Sequence, residues 1–83
     1  MKLVYFARVR EELGCDSEEV DIPLELLTVG QALDWLAARS PRHAEAFADR
    51  TKLRFALDQH MVKADAAISG ASEFAIFPPV TGG

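Results

Sequence analysis

The 83-residue sequence has a single cysteine, Cys15, and only two histidines, His43 and His60. One thiol cannot close an internal disulfide, and no Cys/His spacing matches a zinc site, so the chain is expected to hold no metal. No apolar run approaches the length needed to cross a bilayer, and the first residues enter a strand pattern with no signal-peptide layout. Basic residues are outnumbered: nine Lys and Arg against thirteen Asp and Glu leave a net charge of −4. Nonspecific nucleic-acid binding needs a basic footprint, so this balance argues against it and is compatible with a basic partner surface. Repeats, linkers and low-complexity segments are also missing. The expectation is a cytoplasmic protein with neither membrane nor nucleic acid among its partners.

What is present is an ordinary globular composition, 49% apolar and 27% charged. The length predicts one domain with one modest core, burying about 60–65% of the surface its unfolded chain exposes. Residues 2–7 are rich in β-branched and aromatic types and predict a strand, apolar enough to be covered on both faces. Residues 8–14 favour a short helix stopped by Gly14. Val20 and Ile22 alternate with charges and predict a second strand over 18–22, ended by Pro23. The best helix runs from Val29 to about Arg39, with Thr28 and Gln31 as a capping box and Val29, Ala32, Leu33 and Leu36 on one face. Trp35 lies beside that stripe, as core-edge packing. A helical turn over 43–49 should point Phe47 inward. Strands are predicted at 52–57, at 61–62 after a tight turn, and at 73–77, with a loop at 63–72 between the last two.

This order fits an α+β fold, one sheet wrapped around one main helix. The most apolar strands, first and last, are expected side by side and parallel in the middle. The helix covers only one face. With Leu3, Tyr5, Phe74 and Ile76 turned to it, Phe6 and Phe77 fall on the open face, where an apolar patch marks a partner site.

The chain ends Phe77, Pro78, Pro79, Val80, Thr81, Gly82, Gly83. We divide it into a folded domain, 1–77, and a flexible tail, 78–83. The proline pair favours a stiff extended conformation, and six residues reach at most about 20 Å. Gly82 and Gly83 lack Cβ atoms, so they can thread a narrow channel and bring the terminal carbonyl close to a nucleotide or substrate. A free carboxylate at Gly83 is a poor electrophile and a weak nucleophile. Joined to AMP as a mixed anhydride it becomes open to a sulfur donor, and the resulting thiocarboxylate is a far better nucleophile. The chain has no Gly-rich phosphate loop with a lysine, so a separate ATP-using enzyme is implied.

The tail, the run from Tyr5 to Glu11 and residues 52–62 resemble the small, sulfur-carrier subunit family of molybdopterin synthase. The resemblance covers nearly the whole chain, though 23–50 match mainly in pattern. It implies a ubiquitin-like β-grasp fold and a sulfur carrier in molybdenum cofactor biosynthesis that is not catalytic alone. An adenylating enzyme would use ATP and magnesium to form a transient AMP adduct at Gly83, and a sulfur donor protein would convert it to a thiocarboxylate. The tail, Pro78 to Gly82, would then carry Gly83 into the large subunit, which holds cyclic pyranopterin monophosphate, in a heterotetramer with two of each subunit. No permanently bound cofactor is implied. By position, Phe6, Met61 and Phe77 match family contacts with the large subunit. Two positions depart from the family: Ser72 stands where an acidic residue is common, and Asp58 where Asn is frequent.

Other residues read more plainly. No base accompanies Cys15 to lower its pKa, so it is not expected to carry sulfur. His43 and His60 read as surface or loop histidines. Arg8, Arg10, Lys52, Arg54 and Lys63 are either solvated or paired with acids on a partner. The alternatives to the leading function are a carrier for thiamine or cysteine synthesis, a ubiquitin-like protein modifier, and a passive ubiquitin-like interaction module.

Overall fold

Alternation in short strands and one well-capped helix decides this architecture. The computed structural model describes residues 1–79. Along the chain run β1 (Lys2–Tyr5), α1 (Ala7–Leu13), β2 (Ser17–Glu19), α2 (Val29–Ala37), α3 (Pro41–Ala46), a 3-10 turn (Arg50–Lys52), β3 (Arg54–Leu57), β4 (His60–Val62) and β5 (Glu73–Phe77). The strands form one five-stranded sheet in the order β2-β1-β5-β3-β4. β1 and β5 pair in parallel at its centre, and the other pairings are antiparallel. This is the ubiquitin-like β-grasp arrangement, α+β with helices on one face of a mixed sheet.

The helices start where local chemistry dictates. Thr28 accepts a hydrogen bond from the Gln31 amide at 3.2 Å, and the Gln31 side chain accepts from the Thr28 amide at 3.2 Å, completing the capping box of α2. Val29, Ala32, Leu33 and Leu36 of α2 are fully buried against Leu3, Tyr5, Phe74 and Ile76 of the two central strands. Phe47 enters the same core after α3, and Trp35 packs at its edge. Gly14 closes α1 with φ 75°, a left-handed conformation that favours glycine.

Several boundaries depart from the sequence expectation. β2 lies at Ser17–Glu19, not 18–22. Val20 and Ile22 keep their inward alternation, but the ladder runs out alongside Met1, whose ammonium and carbonyl both bond Val20, so no partner strand remains. β1 stops at Tyr5 because Ala7 takes φ 52° and turns the chain directly into α1. Nor is β1 covered on both faces: Val4, opposite the helix side, is only half-buried. The strand expected at 52–57 begins at Arg54, after the 3-10 turn.

Candidate functional site

The face of the sheet away from the helices carries the site. Cross-strand register sets Val4, Ala75, Ala56 and Met61 in one row across β1, β5, β3 and β4. Ala56 and Ala75 are small and buried, forming a flat apolar floor outside the helix-side core. Phe6 and Phe77 stand beside this floor in an edge-to-face pair, ring centroids 6.2 Å apart at 84°. Phe6 is 48% exposed and Met61 65% exposed, while Phe77 is half-buried. Phe6 is still extended, φ −128° and ψ 155°, so strand alternation turns its ring to this face, and the left-handed backbone of Ala7, costing a non-glycine residue about 1–2 kcal/mol, then starts α1.

Basic side chains border the aromatics. Arg54 lies directly across from Phe77. Arg8 pairs with Glu12 at 2.8 Å and reaches the Lys52 carbonyl at 3.4 Å, and Lys52 lies 3.9 Å from Asp49. Arg10, Arg54 and Lys63 have no carboxylate partner among the described residues. The face is therefore an apolar floor with two aromatic edges and uncompensated cations, a surface able to take a protein partner bearing acidic groups.

β5 ends at Phe77, and Pro78 and Pro79 continue from it outside any regular element, half-buried. The chain thus leaves the sheet beside the Phe6–Phe77 pair. The expectations for Val80, Thr81, Gly82 and Gly83 lie outside the described residues. Among those that are described, no group of His, Cys, Asp and Glu could hold a metal ion, and no helix is long and apolar enough to cross a membrane.

Two polar features escaped the sequence reading. His43 is not a plain surface histidine. Its Nε2 lies 3.0 Å from Glu18 Oε2 and its Nδ1 2.7 Å from Ser40 Oγ, while the buried Tyr5 hydroxyl donates to Glu18 Oε2 at 2.7 Å. Partial burial opposes charge on Glu18, but the hydrogen bonds from Tyr5 and His43 and the Arg39 charge outweigh it and hold the carboxyl below its usual range. Burial, then the hydrogen bond to Glu18 and its charge, push the Tyr5 hydroxyl up. Asp58 is the second feature. Its Oδ1 accepts from the Ser72 and Glu73 amides, both at 2.9 Å, tying the β3–β4 turn to the start of β5. Only a three-dimensional contact over fourteen residues reveals this. Cys15 is half-buried against the core, and burial followed by Glu18 and Asp16 pushes its thiol up, away from nucleophilic character. His60 is exposed on β4.

Comparison with known proteins bears on this geometry. Residues 3–83 match the ThiS family. The chain is 42% identical to the molybdopterin synthase sulfur carrier subunit of Escherichia coli (strain K12), over all of this chain and 99% of that one. It is 30% identical to the protein of the same name from Haemophilus influenzae, again over all of this chain and 99% of that one. Among solved structures it superposes on small archaeal modifier protein 1 of Haloferax volcanii with a TM-score of 0.75 at 28% identity, covering 96% and 97% of the two chains. A putative molybdopterin converting factor, subunit 1, from Pyrococcus furiosus gives a TM-score of 0.73 at 27% identity, covering 95% of each.

Proposed function

From the membership of this chain in the ThiS family, we propose that it is the sulfur-carrier subunit of a molybdopterin synthase. The observation that carries this reading is that the family match runs through Gly83, so the Pro-Pro-to-Gly-Gly tail belongs to it and not the folded domain alone. The full-length identity to two carriers of this name supports it.

The chemistry follows from the carboxylate. An adenylating enzyme with ATP and magnesium joins a Gly83 oxygen to the α-phosphorus, and pyrophosphate leaves. A sulfur donor carrying a persulfide then attacks the activated carbonyl through its outer sulfur and AMP departs with the carbon–oxygen bond broken; a thiol cleaves the sulfur–sulfur bond, leaving with the donor as a disulfide, and Gly83 retains a thiocarboxylate. Folded residues 1–77 dock on the large subunit through Phe6, Met61 and Phe77. The arm 78–83 delivers the sulfur to cyclic pyranopterin monophosphate. Two carriers on a large-subunit dimer, acting in the cytoplasm, complete the assembly. This chain supplies positioning and cargo, and the groups that catalyse belong to its partners.

Intact-mass measurement tests the proposal. After incubation with the adenylating enzyme, ATP, magnesium and a sulfur donor, one oxygen at Gly83 should be replaced by sulfur. An unchanged mass where an established carrier is loaded in parallel would falsify the reading. Removal of Gly83 should abolish loading while leaving the fold intact, whereas a passive interaction module would lose nothing. A second reading, a protein modifier, is favoured by the likeness to the archaeal modifier protein. It predicts isopeptide conjugates between Gly83 and cellular lysines, which the carrier reading does not. Carriage of sulfur toward thiamine or cysteine would leave cyclic pyranopterin monophosphate unconverted by the loaded chain with its large subunit.

A further inference from the structure

Four large apolar side chains are exposed among the described residues: Phe6, Met61, Leu24 and Leu27. The first two belong to the open sheet face. Leu24, 95% exposed, and Leu27, 62% exposed, stand instead on the loop between β2 and α2. That loop meets Met1 and Ala71 at the end of the sheet where β1 and β5 begin, the pole opposite the one from which Pro78 departs. Ile22, Pro23 and Leu26 of the same loop are half-buried and anchor it, leaving the two leucines as a projecting apolar knob. Asp21 and Glu25 flank the knob, both exposed and without a cation partner among the described residues. The nearby Met1 ammonium is engaged elsewhere, by the Val20 carbonyl and Glu19.

The same chain carries a surface of the opposite kind. β4 is an edge strand. Between β3, β4 and the segment after it runs a groove of about 720 Å³, its walls formed by Leu53, Phe55, Met61, Val62 and Ala66. Arg54 and Lys63 stand on its lining without carboxylate partners among the described residues, and Asp65 is the one acid there. An apolar knob beside two carboxylates thus matches an apolar groove beside two cations, none of the four in an ion pair among the described residues.

We infer that a second copy of this chain docks loop 21–27 into the β4-edge groove, with Leu24 and Leu27 in the groove and Asp21 and Glu25 toward Arg54 and Lys63. Knob and groove are different surfaces, so two copies joined by one such contact still have one knob and one groove unused between them. Such contacts build head-to-tail chains, or a ring where the rotation between copies closes. The patches are small, so the association is transient, and its charge pairs make it weaken with salt. It does not depend on what Gly83 carries.

Sedimentation velocity on the full chain, from micromolar to millimolar concentration, tests this. The wild type should show an average mass that keeps rising with concentration and falls when salt is added. The double variant Leu24→Ser/Leu27→Ser and the double variant Arg54→Glu/Lys63→Glu should each associate at least tenfold more weakly, with unchanged circular dichroism. An equimolar mixture of the two should recover a one-to-one dimer and stop there, because only one intact knob meets one intact groove. A wild type that stays monomeric at millimolar concentration overturns the inference. So does association that survives both double variants, or a mixture that remains monomeric while the wild type associates. Were the wild type monomeric, the knob would await a different, basic protein.

Discussion

Phe74 and Phe77 sit three residues apart in β5 and meet opposite fates. Phe74 is fully buried beneath α2, its ring 6.1 Å from that of Phe55. Phe77 is half-buried on the open face, edge-on to Phe6. One strand therefore serves two purposes: its inward residues hold the domain together and its outward residues are kept for something else. Burial of a large aromatic is worth most where water is already excluded on every side. An aromatic left half in water contributes little to folding and much to whatever later covers it.

The sharpest way to break this contrast is to truncate both rings. Phe74→Ala should cost about 3–5 kcal/mol of unfolding free energy, because it removes a fully buried ring and leaves a cavity. Urea denaturation measures it, and a loss below about 1 kcal/mol would mean the two faces are not energetically distinct. Phe77→Ala should instead change stability by less than about 1 kcal/mol and weaken large-subunit binding by about 2 kcal/mol or more, read by titration calorimetry. Global unfolding of that variant would place Phe77 in the core and remove the open face from the argument.

The contrast was legible in the sequence because period-2 alternation in two central strands says which side chains share a face. The capping box at Thr28 and the stop at Gly14 were legible for the same local reason. Strand ends were not. Whether Val20 and Ile22 belong to a strand depends on whether a neighbour extends alongside them, and that is a property of the pairing, not of the residues. The roles of His43, Glu18 and Asp58 were likewise hidden, because each is defined by partners distant in sequence. The basic and aromatic members of the site were visible, but the flat alanine floor beneath them was not, since small residues announce nothing until the register is known.

The Tyr5–Glu18 contact belongs to the helix side of the comparison, at the sheet's edge, and it is the next largest effect. Glu18→Gln should cost about 1–2 kcal/mol at neutral pH by weakening charge-assisted hydrogen bonds from Tyr5 and His43. The pH dependence has a fixed sign. Folding lowers the Glu18 pKa, so its contribution is present in full above the unfolded carboxylate value of about 4.3 and is lost as pH falls through the folded one. The gap in melting temperature between wild type and variant should therefore narrow below about pH 4. A gap that stays constant to lower pH would mean the charge on Glu18 is not what stabilises.

The smallest effect concerns the turn that holds β4, and with it Met61, beside the floor. Asp58 and Gln59 take φ of 49° and 70°, so both central residues of the hairpin turn are left-handed. That conformation matches the twist of paired strands and favours Asn or Asp followed by Gly. Asp58 meets the rule and adds its two bonds to β5; Gln59 does not. Relieving left-handed strain at Gln59 gains about 1–2 kcal/mol, and the greater freedom of glycine in the unfolded chain returns about 0.5–1 kcal/mol of it. Gln59→Gly should therefore stabilise the fold by about 0.5–1 kcal/mol, raising the urea midpoint without changing the slope. Because the side chain is exposed and touches neither aromatic, affinity for the large subunit should stay at the wild-type value. A loss of affinity with stability gained would show that the strained turn is used to place Met61, and that the open face depends on backbone held out of its preferred geometry as much as on the side chains it displays.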